Sequence, residues 1–361
     1  MFRTVLFEIH HLYYWPNFQP IIEKMIHRKN YKVAVSMPIR NSTIEKNILG
    51  NAVAKLSVPF IIAETENERI EKIIKKSFEI IIIGNVGKIN MLVNKNTIVV
   101  MVYHGIGLKN SYYNDIDDRI NLRAIESLDR FNELENKGHK NLILTGFTKL
   151  DRLFTITNRQ ITLLKDSLKI NDNKKTILYA PSFYPTSIEK IGLQLPLLSH
   201  HFNIIIKLHG FSWEQKRYRY QSEFCTELSQ QNENISLVPN DNFDIIPFYK
   251  IADILVTDIS STMFEYLPLN RPIIQAECYT LRLKHRIFSR RFWKKMDLRR
   301  QEEVDFVYKI NNPEDLFSRV YYALDNLDEM EDLRKRATEF YLYKNDGKAS
   351  DRLLDALDNY N

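Results

Sequence analysis

The sequence predicts an α/β protein built from two doubly wound, Rossmann-like domains that face each other across a cleft. Three observations predict it. Short β-branched runs alternate with longer stretches of helical period, in two successive sets. The central runs are apolar on both faces, as parallel strands covered by helices require. The chain has 361 residues, which at roughly 150 residues per domain makes two domains. With 44% hydrophobic and 27% charged residues, each half can bury a core, and a disordered or collagen-like chain is excluded.

The first set opens with the run at 4–9 and a helix around 18–27. Apolar runs follow at 31–35, 59–63, 79–83 and 97–102, and 142–145 reads as one more strand. The polar stretch 155–175, ending in Asn171-Asp172-Asn173, marks the junction. The second set runs 176–180, 203–208, 235–238, 253–257 and 272–275, and residues 316–361 read as helices. The expected domains are therefore 1–157 and 158–340, with a terminal helix in 341–361 that packs back on the first. In open parallel sheets ligands bind beyond the carboxyl ends of the strands, so the chemistry is sought there.

A net charge of +6 fits an anionic partner: a phosphorylated substrate, an anionic membrane surface or nucleic acid. Two cysteines, Cys225 and Cys278, cannot build a disulfide framework or a zinc cluster and read as reduced thiols. Glu8, His10 and His11 interrupt the N-terminal apolar run, which makes a poor signal peptide. No window reaches the ~18 apolar residues of a spanning helix. A soluble or peripheral protein is expected.

Four strand ends carry candidate chemistry. His104-Gly105, with Lys109 downstream, follows the run at 97–102; a histidine there serves as a general base near neutrality or merely closes a turn. Gly146, Lys149 and Asp151 follow 142–145; Asp151 either orients a histidine or complements a helix dipole. His209-Gly210 repeats the histidine-glycine pattern in the second half. Asp258, Ser260, Ser261 and Thr262 follow 253–257, where Thr262-x-x-Glu265 fits a capping box and the extra hydroxyls could cradle a phosphate.

Together with Ile177-Leu-Tyr-Ala-Pro181, Arg271-Pro272 and Asp346-Gly347-Lys348-Ala349-Ser350-x-Arg352, these motifs resemble the CDP-glycerol glycerophosphotransferases of teichoic acid and capsule synthesis. The resemblance runs from about residue 100 to the C-terminus. It implies a glycosyltransferase-B-like fold, an N-terminal acceptor domain and a C-terminal nucleotide-donor domain. It also implies transfer of glycerol phosphate, or a related alditol phosphate, from a CDP-linked donor to a hydroxyl of a polymer or lipid-linked primer, with release of CMP. The resemblance makes His104 the candidate base, Asp151 its neighbour, and His209, Ser260 and Ser261 the donor-phosphate contacts. Gly105, Lys109, Lys149, Pro181, Ser182, Asp258, Thr262 and Arg271 complete the expected substrate-binding set. Where the family has Thr-Trp-Arg, this chain has Ser182-Phe183-Tyr184, and His209 is followed by Gly210 instead of proline.

No cofactor and no metal cluster are expected beyond the donor, CDP-glycerol or CDP-ribitol. The segment 281–300 carries Arg282, Lys284, Arg286, Arg290, Arg291, Lys294, Lys295, Arg299 and Arg300 among Phe288, Phe292 and Trp293. It reads as a contact for an anionic bilayer or as a solvated basic loop. No nucleic-acid module is visible. His10, His11, Tyr13, Tyr14 and Trp15 follow the first strand and read as an acceptor-stacking surface or as a packed entry to the first helix. The expected location is the cytoplasm, at the inner membrane face. A glycosyltransferase using a nucleotide sugar is the rival enzyme reading.

Overall fold

Two parallel sheets organise the chain in the computed structural model, which describes residues 2–106, 117–288, 293 and 302–360. Lys109, and residues 289–292 and 294–300 of the basic segment, lie outside them.

The first sheet has seven strands: β1 (Arg3–Glu8), β2 (Tyr31–Ser36), β3 (Phe60–Ile61), β4 (Ile80–Ile83), β5 (Ile98–Val102), β6 (Leu122–Ile125) and β7 (Leu142–Leu144). Their order is β3-β2-β1-β4-β5-β6-β7, parallel throughout, so the strand order reverses between β1 and β4. The second sheet has β8 (Thr176–Tyr179), β9 (Asn203–Ile206), β10 (Ile235–Leu237), β11 (Ile254–Thr257), β12 (Ile273–Ala276) and β13 (Tyr308–Ile310). Its order, β10-β9-β8-β11-β12-β13, reverses between β8 and β11. A crevice opens beyond the strand ends at each reversal, and doubly wound sheets place ligands there.

The apolar runs explain the strands. Ile80–Ile83 is four isoleucines, each at most 1% exposed. Full burial of one such side chain contributes about 1.5–3 kcal/mol. Strands β6 and β13 are the two that pattern reading passes over. Arg123 sits inside β6 and is 2% exposed, its guanidinium hydrogen-bonded to the Tyr103 hydroxyl and the Asp117 carbonyl. A charged residue in a three- or four-residue strand hides its apolar period.

The chain divides into two compact units, residues to 105, 111–154 and 340–361 forming one and 155–339 with 106–110 the other. The helix Ala349–Asp358 thus belongs to the first unit. It lies on the helix Trp15–Arg28, where Lys24 meets Asp351 at 2.7 Å and Arg28 meets Asp355 at 2.6 Å and Asp358 at 2.8 Å. No helix among the described residues is long and apolar enough to cross a membrane.

Candidate active site

In the first unit, β1 runs out into His10 and His11, and the turn Leu12–Tyr14 leads into the helix Trp15–Arg28. The Tyr14 ring packs against Gly84, just beyond β4; a Cβ at Gly84 would stand 2.0 Å from that ring. The same ring meets His104 edge-on at 4.5 Å, and the Tyr13 ring meets His104 at 4.9 Å. Asn17 donates to the His104 carbonyl at 3.4 Å. His104, half-buried at the end of β5, therefore sits in a cradle of two tyrosines built across the strand reversal. Gly105 behind it is buried.

A second imidazole adjoins this cradle. His11 stacks on Tyr13 at 5.2 Å and 16°, and its Nδ1 lies 3.7 Å from Glu45. Glu45 stands in the first turn of the helix Thr43–Lys55, whose N-cap is Ser42. Its carboxylate accepts from the Leu12 amide and the Asn41 side chain, both at 3.0 Å. Burial alone would raise its pKa, but His11, Leu12 and Asn41 together hold it below the ordinary carboxylate value. The capping pattern Ser42-x-x-Glu45 was a readable signal for the helix start. Its meeting with His11, 34 positions upstream, depends on the packing of that helix beside β1.

Asp151 corrects an expectation. Its two oxygens accept from the backbone amides of Ala349 at 3.0 Å and Ser350 at 2.7 Å, so it caps the helix Ala349–Asp358 from another part of the chain. Burial pushes its carboxyl up against those amides. The rest of the Asp346–Arg352 motif serves the same joint. Arg352 pairs with Asp346 at 2.5 Å and donates to the Thr145 carbonyl at 3.0 Å. Gly347 has φ +72°, with Phe154 2.8 Å from where its Cβ would be; Gly146 has φ +90° and faces the Tyr343 carbonyl. The Gly146–Asp151 motif, expected near the chemistry, and the Asp346–Arg352 motif thus close one structural latch. Lys149 lies half-buried within its short helical turn.

In the second unit, β8 ends at Tyr179, and the residues after Pro181 form a loop held from β11. Asp258, fully buried, accepts from the Ser182 amide at 2.7 Å, and from the Ser187 amide at 3.0 Å and hydroxyl at 3.1 Å. Burial pushes its carboxyl up to about 6, against the pull of those donors. Asp258 thereby shapes the Ser182 loop. His209 caps the helix Gly210–Glu214, its Nδ1 accepting from the Phe211 amide at 3.1 Å. An Nδ1 that accepts leaves the ring proton on Nε2, which becomes a donor. Phe183 and Phe211 pack on that ring at 4.8 and 5.0 Å.

The hydroxyl turn after β11 also differs from expectation. The helix Thr262–Tyr266 has Ser261 at its N-cap, and no capping box forms at Thr262. Ser260 accepts from the Thr262 amide at 3.3 Å, Ser261 donates to Glu265 at 3.1 Å, and Thr262 pairs with Thr257 at 2.8 Å. Each hydroxyl has a partner within the turn, and Ser260 commits only an acceptor lone pair to it. Arg271 is corrected too: one guanidinium nitrogen binds the carbonyls of Lys250 at 3.0 Å and Ala252 at 2.5 Å, closing the end of the helix Ile246–Ile251. Among the described residues no cluster of three or more His, Cys, Asp or Glu could hold a metal ion.

The family model for CDP-glycerol:poly(glycerophosphate) glycerophosphotransferases matches residues 3–359. The chain belongs to that family. It is 32% identical over 147 residues to a teichoic acid poly(glycerol phosphate) polymerase of Bacillus spizizenii, a match over 37% of this chain and 34% of that protein. It is also 32% identical over 129 residues to a teichoic acid glycerol-phosphate primase of Bacillus subtilis, over 34% of this chain and 29% of the relative. The matches thus take in about a third of the curated relatives' length. The solved wall teichoic acid polymerase TagF shares the fold, with TM-score 0.70 and 16% identity over 98% of this chain and 88% of that one.

Proposed function

We propose that this glycerophosphotransferase-family chain moves glycerol phosphate, or a related alditol phosphate, from a CDP-linked donor to a hydroxyl of a teichoic acid-like or capsule polymer or its lipid-linked primer, releasing CMP. The observation that carries the reading is His209, whose Nδ1 bond to Phe211 turns Nε2 into a donor beside the β8–β11 reversal of a family-matched chain. A donor there suits a phosphoryl oxygen of the pyrophosphate. The Ser182 loop and the half-buried Ser260 and Ser261 stand at the same strand ends.

In the first unit His104 is the proton acceptor in this reading. The acceptor hydroxyl gives its proton to the imidazole as its oxygen bonds to the outer phosphorus, and the bond to the CMP oxygen breaks with its electron pair. Gly105, Lys149 and Lys109 serve the acceptor side. Basic residues of 281–300 other than Arg282 hold the enzyme at an anionic membrane face, each contributing about 1 kcal/mol.

His104→Ala is expected to lower CMP release from CDP-glycerol at least a hundredfold while the folding transition stays in place. Retained transfer removes the proposed base. A thermal-shift panel of CDP-glycerol, CDP-ribitol, UDP-sugars and CMP checks the donor, since a ligand stabilises only the state it binds. Selective stabilisation by a UDP-sugar overturns the donor assignment.

A further inference from the structure

Among the described residues, the second unit carries a cation with no ion-paired anion. The Arg282 guanidinium carbon lies 4.2 Å over the Tyr184 ring and 5.1 Å over the Tyr218 ring. The Tyr184 hydroxyl accepts from the Arg282 amide at 3.3 Å and bonds His285 Nδ1, which fixes the platform. A guanidinium covered on its flat faces keeps its N–H donors in the plane, pointing outward at the edges. Neither Arg282 nor Arg217 has an ion pair with any described residue. Burial, and then the like charge of Arg217, lower the Arg282 pKa. Such an arrangement is unfavourable by itself and is relieved by a bound anion.

The platform continues toward the candidate donor site, because Tyr218 packs on Phe183 at 5.2 Å and Phe183 on His209 at 4.8 Å. Lys216, Arg219, Lys284 and Arg286 flank the two arginines in sequence.

We infer that Arg282, stacked on Tyr184 and Tyr218 and joined by Arg217, forms a phosphodiester-binding subsite for the polyanionic acceptor, separate from the donor's pyrophosphate contacts. The inference rests on the proposed function for the acceptor's identity. Its binding chemistry, a planar fork on a phosphodiester, can be tested without turnover.

The test titrates the full chain with a synthetic glycerol-phosphate trimer by calorimetry, beside Arg282→Gln, Arg282→Lys and Tyr184→Leu. Arg282→Gln is expected to weaken trimer binding at least tenfold and to flatten its salt dependence, with CDP-glycerol affinity within twofold. Arg282→Lys should recover only part, since a lysine does not present a fork. Tyr184→Leu, which keeps the charge and removes the platform, should fall between. Equal loss of CDP-glycerol binding would place Arg282 in the donor site and overturn the subsite. Unchanged trimer binding overturns it as well. So does a loss confined to sedimentation with phosphatidylglycerol vesicles, which would assign the cation to a lipid headgroup. If the wild-type chain binds the trimer but never CDP-glycerol, the transfer reading fails while the subsite stands.

Discussion

At the scale of single residues, His104 depends on how closely Tyr14 can approach the backbone at Gly84. Gly84→Ala puts a methyl 2.0 Å from the ring atoms, too close for any real contact, so Tyr14 must move and the His104 cradle opens. We expect kcat for CMP release to fall at least tenfold, with the KM for donor within twofold; an unchanged kcat would detach Tyr14 from the chemistry. Glu45→Gln removes the charge facing His11 while keeping the carbonyl for Leu12. Two buried groups set residue-scale pH behaviour. Burial, then the charges of Arg40, His11 and Arg69, depress His10 to about 4. Its contribution is complete above the unfolded value of 6.5 and is lost as pH falls toward 4. Asp258, raised to about 6, behaves oppositely: its contribution is complete below 3.8 and is lost as pH rises through 6. At one pKa unit per 1.36 kcal/mol, lowering pH from 7 to 5 should cost wild type about 2 kcal/mol relative to His10→Gln. Raising it from 5 to 7.5 should cost about 1 kcal/mol relative to Asp258→Asn. Urea unfolding at those pH values checks both signs.

At the scale of elements, the latch between Asp151 and the helix Ala349–Asp358 decides whether the terminal helix stays on the helix Trp15–Arg28. Asp151→Asn replaces one acceptor oxygen with a donor that faces an amide. It is expected to destabilise by about 1–3 kcal/mol, as lost caps and unmatched buried groups do. The shape of the pH–rate profile should stay as in wild type, whereas an aspartate orienting the base would change it. The buried pair of Arg69 with Glu8, 2.8 Å apart at the end of β1, works on the neighbouring helix Glu66–Lys76. Arg69→Ala strands a carboxylate that burial already raises, and a loss of about 3–5 kcal/mol in unfolding free energy is expected. Strands such as Ile80–Ile83 were legible because a continuous apolar run bounded by polar turns has few other uses. Strand β6 was not, because the partners of Arg123 among the described residues come from the chain after β5 and from Asp117.

At the scale of the whole molecule, the sequence by itself determined the two parallel sheets, since runs apolar on both faces and separated by helical stretches must pair side by side and be covered. It also determined the family, through motifs kept in order from His104 to Arg352. It placed His104 and His209 at strand ends, because a residue next after a buried run has nowhere else to be. Only the tertiary structure decided what the accompanying polar residues do. Asp151, Asp258 and Arg271 have the residue types of ligand contacts, yet their partners are main-chain amides, carbonyls and a serine. Glu45 shows no motif reason to meet His11, and Arg282 none to lie on Tyr184. The physical reason is the same throughout: local periodicity fixes which face a residue shares, but a charged group's role is set by whichever donors or acceptors the fold brings within about 3 Å of it.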